Sequence, residues 1–102
     1  MTKVLYEPGK LHLRIEGHAG SAPKGKDLVC AGVSSLGFAL LLAAGDYDAD
    51  VVTDEETGVM DVRCRPGPLN QGECMAMLDT ITGGLSLLSS QYPEYVSYEE
   101  VP

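Results

Sequence analysis

Two residues in the stretch GHAGSAPKGKDLVCAGVSS, Gly17 to Ser35, carry the chemistry of a base and a nucleophile. His18 stands before a glycine-bearing loop. Cys30 stands after it, three residues beyond Asp27 and inside an apolar run. An imidazole titrates near neutral pH and a thiolate attacks carbonyl carbon, so the pair can form and hydrolyse an acyl-enzyme. The bland alternative is a solvated loop histidine and a buried helix cysteine, because a single Cys with a single His is a common combination.

The apolar run begins where a helix should begin. Aspartate is a preferred N-cap, since its carboxylate accepts a first-turn backbone N–H. With Asp27 as cap, Cys30 falls in the first turn, where unpaired amides and the helix dipole favour an anion. Thiol pKa values fall at such positions. The carboxylate of Asp27 opposes this by like-charge repulsion, and a cationic His18 would favour the thiolate again. Uncapped amides of the same turn are expected to receive a developing oxyanion. The segment Ala19, Gly20, Ser21, Ala22, Pro23, Lys24, Gly25 and Lys26 joins the two residues. Its glycines and proline suit a lid that bends over a site and admits a peptide.

The elements that must position this pair follow from hydrophobic period and turn residues. VLYEPGKLHLRIEG reads as a hairpin, with Pro8 and Gly9 at the turn and Leu11, Leu13 and Ile15 on one face. His12, on the opposite face, is expected at the surface. Leu28 to Ala44 is a run of 17 uncharged residues ending at Gly45. It is slightly short for a bilayer, and a central, fully buried helix accounts for it better. DVVTDEETGVMDVRC is a second hairpin with Thr57-Gly58 at its turn. Asn70 and Glu73 have capping-box spacing. Met75, Leu78, Ile81, Leu85 and Leu88 then recur as one helical face. Gly83 and Gly84 weaken that helix and suggest close packing against a neighbour. Tyr95 to Val101 closes the chain as a strand. The order is ββαββαβ, an α/β (α+β) domain spanning 1–102 with two helices on a mixed or antiparallel sheet. If the second sheet face is apolar, Tyr6, Tyr95 and Tyr98 are candidates to cover it through a homodimer; an antiparallel sheet with one wet face is the alternative.

Composition narrows the function. The chain has 102 residues and a formal charge of −8, from 15 acidic against 7 basic residues. That excludes the basic footprint of a nucleic-acid binder and favours a basic partner, or simply solubility. Cys30, Cys64 and Cys74 contain no C-x-x-C, and with two histidines they lack zinc-ligand spacing, so neither metal nor cofactor is expected. Cys64 and Cys74 read as small buried hydrophobes. The segment MTKVLYEPGK has no apolar signal core, and free thiols suit a reducing cytoplasm. No membrane partner is expected.

The stretch closely resembles the signature of the ribosomal-processing cysteine proteases, the Prp family. G-H-A, a glycine-bearing loop and then D-[IVL]-V-C-A-x-V-S are matched by Gly17, His18, Ala19, Gly25, Asp27, Val29, Cys30, Ala31, Val33 and Ser34. The rest of the chain agrees more loosely, including YPEYV at Tyr92 to Val96. The resemblance implies a cysteine endopeptidase with His18 as base, Cys30 as nucleophile, and Asp27 and Ser34 in supporting roles. It implies as substrate the N-terminal extension of the twenty-seventh protein of the large ribosomal subunit, in bacteria such as Firmicutes. It also implies a homodimer and a mobile loop. Ser21 stands where an aromatic is frequent and Gly32 where alanine is common, which bears on fine specificity. A non-catalytic module that binds ribosomal proteins and a redox-sensing thiol protein are the competing readings.

Overall fold

The computed structural model describes residues 1–20 and 27–102. A five-stranded sheet in the order β3-β4-β2-β1-β5 carries the chain. Its strands are β1 (Thr2–Glu7), β2 (His12–Glu16), β3 (Asp50–Asp54), β4 (Val59–Arg63) and β5 (Val96–Glu100). Helices α1 (Leu28–Ala44) and α2 (Gln71–Gln91) complete it. Neighbouring strands run antiparallel except β5, which lies parallel to β1 after the crossover through α2. The sheet is therefore mixed, and the order ββαββαβ is that read from the sequence.

Side-chain alternation sorts the sheet into two faces. The register pairs Val4 with Ile15, Tyr6 with Leu13, Leu13 with Val62 and Thr2 with Val96. These residues are buried beneath the helices. Leu13, Leu40, Leu78 and Leu85 are fully enclosed, each contributing roughly 2 kcal/mol of burial. Tyr6 belongs to this inner face: its hydroxyl donates to Asp79 of α2 at 2.8 Å. Burial and that bond push the phenol pKa up. The tyrosine therefore helps fasten α2 to the sheet and does not cover the other face.

The outer face is polar. His12 is only 7% exposed, contrary to the surface position its alternation suggested. Its ring lies between two carboxylates, with Nδ1 2.8 Å from Glu7 and Nε2 3.0 Å from Asp61. Arg14 bonds to Asp61 at 2.9 Å and to Glu16 at 3.1 Å. Charges of alternating sign bond to each other across three strands, with the imidazole held among them. The His12 hydrogen bond holds the Glu7 carboxyl below its ordinary value, against burial and with help from Lys10. Burial pushes the Asp61 carboxyl up, but the bonds from Arg14 and His12 outweigh it and hold the group low.

The two helices meet through small residues. A Cβ on Gly84 would lie 3.0 Å from both methyls of Leu36, and one on Gly32 would lie 3.4 Å from Leu88. Gly84 thus marks close packing, as its place in the pattern suggested, whereas Gly83 faces open space. Helix α1 buries Val29, Val33, Gly37, Leu40 and Ala44, but Leu28, Phe38 and Leu42 are exposed. It is apolar all round and buried on one side, not fully enclosed. Gly45 follows it in right-handed conformation and opens a short 3-10 turn, so the left-handed reversal falls on Asp48 at φ 48°. Asn70 makes no side-chain cap; a 3-10 turn, Pro68–Asn70, runs straight into α2 and takes the place of the capping box.

Candidate active site

His18 and Cys30 reach one cavity of about 350 Å³ from different elements. Strand β2 ends at Glu16, and Gly17 turns the chain out of the sheet with φ 89°. A Cβ at Gly17 would collide with the carbonyl of Met1, so only glycine fits this turn. The Gly17 amide donates to the carbonyl of Thr57 at 3.2 Å. His18 follows with an exposed side chain, its Nε2 3.4 Å from the carbonyl of Glu56.

Cys30 comes from the first turn of α1. Asp27 caps the helix: its Oδ1 accepts from the Cys30 amide at 2.8 Å, and its carbonyl accepts from Ala31 at 3.0 Å. The cap fixes where the helix starts and hence where the sulfur points. It also corrects one expectation, since the Cys30 amide is already taken and does not belong to an uncapped donor set. Ser34 lies one turn on, lining the same cavity. Asp27 meets Cys30 through its backbone amide. Ala19 is buried and Gly20 exposed, with φ 69°. Ser21, Ala22, Pro23, Lys24, Gly25 and Lys26 of the expected lid lie outside the described residues.

The remaining walls are apolar on one side and acidic at the mouth. Ile15, Val33, Leu41, Val59 and Met60 line the cavity beside Cys30, and Asp54 and Glu55 edge it. Gly37 makes room for one wall: its Cβ would lie 2.8 Å from the sulfur of Met60. The β3–β4 turn was legible only as a hairpin. Nothing in DEETG announces that it will stand against a histidine some forty residues earlier in the chain.

Cys64 and Cys74 do not line this cavity. Both are buried, beside each other, at the end of β4 and the start of α2. Burial, with the Cys74 contact, pushes the Cys64 thiol up to about 12. Burial also raises Cys74, the Cys64 contact partly opposing it. They are structural thiols, as their positions suggested. Among the described residues no group of three or more His, Cys, Asp or Glu side chains is placed to hold a metal.

Residues 2–97 match the family described as Cysteine protease Prp. The chain belongs to the Prp family. Prp is a family of cysteine proteases, so this chain is an enzyme rather than a non-catalytic binding module. The Prp ribosomal processing protease of S. aureus bound to a covalently linked product peptide is similar to it in structure. The TM-score is 0.85 and the identity 25%, over 99% of this chain and all of that one. The same S. aureus Prp with a substrate peptide gives 0.78 at 22% identity, again over 99% of this chain and 100% of that one. The SMU.848 protein of Streptococcus mutans gives 0.71 at 24%, over 98% of this chain and 91% of that one. At those two identities the likeness speaks for the Prp fold alone. No curated protein matches the chain.

Proposed function

We propose that this protein removes the N-terminal extension of a ribosomal protein, the twenty-seventh of the large subunit, through a His18–Cys30 dyad. The observation that carries the reading is that a strand-end imidazole and a helix-start thiol line one cavity with apolar walls. His18 takes the Cys30 proton, and the sulfur attacks the scissile carbonyl. The carbonyl oxygen becomes an oxyanion beside the first turn of α1, where the helix dipole favours it. His18 then protonates the leaving amine, and water, with His18 again as base, releases the new C-terminus and frees the thiol. Asp27 holds the start of α1, and Ser34 contacts substrate. No cofactor is required.

The substrate reading draws on the S. aureus relative, whose structure holds a product peptide, and on charge. A net charge of −8 attracts a basic ribosomal protein and speeds encounter. A ribosomal-protein substrate and free thiols support a cytoplasmic location. A homodimer is supported by the exposed stripe Leu28, Phe38 and Leu42 on α1, which a second copy would cover.

Incubation with the purified precursor ribosomal protein tests the reading. The wild type cleaves it once, near the N-terminus, and Cys30→Ala and His18→Ala fold normally but do not. Full activity in Cys30→Ala rejects the nucleophile, and cleavage of unrelated basic proteins at equal rates rejects the substrate.

A further inference from the structure

We infer that the main-chain carbonyl of Glu56 is a third member of the catalytic constellation, fixing the tautomer of His18 so that Nδ1 is the base. The inference rests on the His18–Cys30 reading. A base in a nucleophilic pair is usually oriented by a third group, most often a side chain. Here the ring meets a backbone oxygen instead: Nε2 lies 3.4 Å from the Glu56 carbonyl, and among the described residues that is its hydrogen-bond partner. A carbonyl only accepts, so Nε2 must carry the proton. In the neutral ring the lone pair then sits on Nδ1, the atom left to take a proton from sulfur.

The surrounding turn is built to hold that oxygen still. Asp54 Oδ1 accepts from the amides of Glu56 at 2.9 Å and Thr57 at 3.5 Å. The Thr57 carbonyl accepts from the Gly17 amide at 3.2 Å, so the turn grips the chain one residue before the histidine. Gly58 closes the turn at φ 67°, and a Cβ there would stand 2.6 Å from the Gly17 carbonyl and 3.1 Å from Cε1 of His18. The imidazole is thus bonded at Nε2 and packed at Cε1 by one five-residue turn, which also edges the cavity through Asp54. Glu56 and Gly58 are positioning residues; neither needs to touch the substrate.

Nitrogen-15 NMR of histidine-labelled full-length protein, above the ordinary titration range of imidazole, reads the tautomer directly. The expected result is His18 protonated at Nε2; protonation at Nδ1 overturns the inference. Gly58→Ala should then mix the tautomers and lower kcat on the precursor protein by about ten-fold or more, with KM changed less than about two-fold. A rise in KM alone, or a loss of activity with the tautomer intact, also overturns it. If that variant does not fold, Asp54→Ala, which frees the turn but keeps the carbonyl, takes its place with the same expected split. An active Cys30→Ala enzyme would reject the dyad while leaving the tautomer result standing, so the two failures are distinguishable.

Discussion

The carboxylate of Asp27 accepts a hydrogen bond from the amide of Cys30 at 2.8 Å, so the cap residue is tied to the backbone of the cysteine in the first turn. The bond does two things to Cys30. It fixes the first turn of α1, and it holds a carboxylate against the Cys30 main chain.

Two substitutions separate these effects. Asp27→Ala removes the cap and should cost about 1 kcal/mol of stability. Asp27→Asn keeps an acceptor and should leave the melting temperature nearly unchanged. Without the carboxylate charge, its Cys30 should alkylate faster than wild type at neutral pH. Thermal melts and iodoacetamide rates check both. Slower alkylation in Asp27→Asn would show that the charge helps the thiol rather than opposing it.

The cysteines should divide sharply in reactivity. In folded protein Cys30, half-buried at the cavity, is expected to take one label, while Cys64 and Cys74 resist because burial raises their pKa values. After denaturation all three should label. Intact mass with peptide mapping reads the outcome. Early labelling of Cys64 would mean that the junction of β4 and α2 opens readily.

Acid should loosen the outer face of the sheet. Glu7 and Asp61 sit below their ordinary values when folded, so in the acidic window the unfolded chain binds more protons. Stability from these groups is complete above the unfolded carboxylate range, about pH 4, and is lost as pH falls through the folded values. His12→Gln removes the ring between them and should lower the melting temperature by about 5 °C or more near neutral pH. It should also flatten the acid dependence. An unchanged acid limb in that variant would assign the effect to Arg14.

Gly37→Ala should alter substrate binding more than folding. The added Cβ falls 2.8 Å from the Met60 sulfur, the movable end of a side chain that lines the cavity. Helix propensity gains about 1 kcal/mol, which offsets the displacement. The expected result is a melting temperature near wild type and a KM raised roughly three-fold or more, since pocket contacts of a methylene's size carry about 1 kcal/mol or more. A fall in kcat at constant KM would show that Met60 does not meet the substrate.

Much of this was legible along the chain because the physics is local. The alternation of Leu13 and Ile15 with polar residues determined a strand, although Leu11 falls outside it at φ 50°, closing the 3-10 turn before β2; Asp27 before an apolar run determined a helix start, and Gly58 determined a turn. His18 and Cys30 stood out by residue type, and the motif around them gave the family. The tertiary structure decided what depends on distant neighbours. His12 is buried because Glu7 and Asp61 arrive from other strands to meet its ring. Helix α1 keeps Leu28, Phe38 and Leu42 outside because α2 and the sheet cover only one of its sides. Tyr6 turns inward because Asp79 waits on α2. The Glu56 carbonyl reaches His18 because β4 pairs with β2, a juxtaposition set by sheet register. Sequence spacing fixes what a residue can do; which groups stand against it is set only when the chain closes on itself.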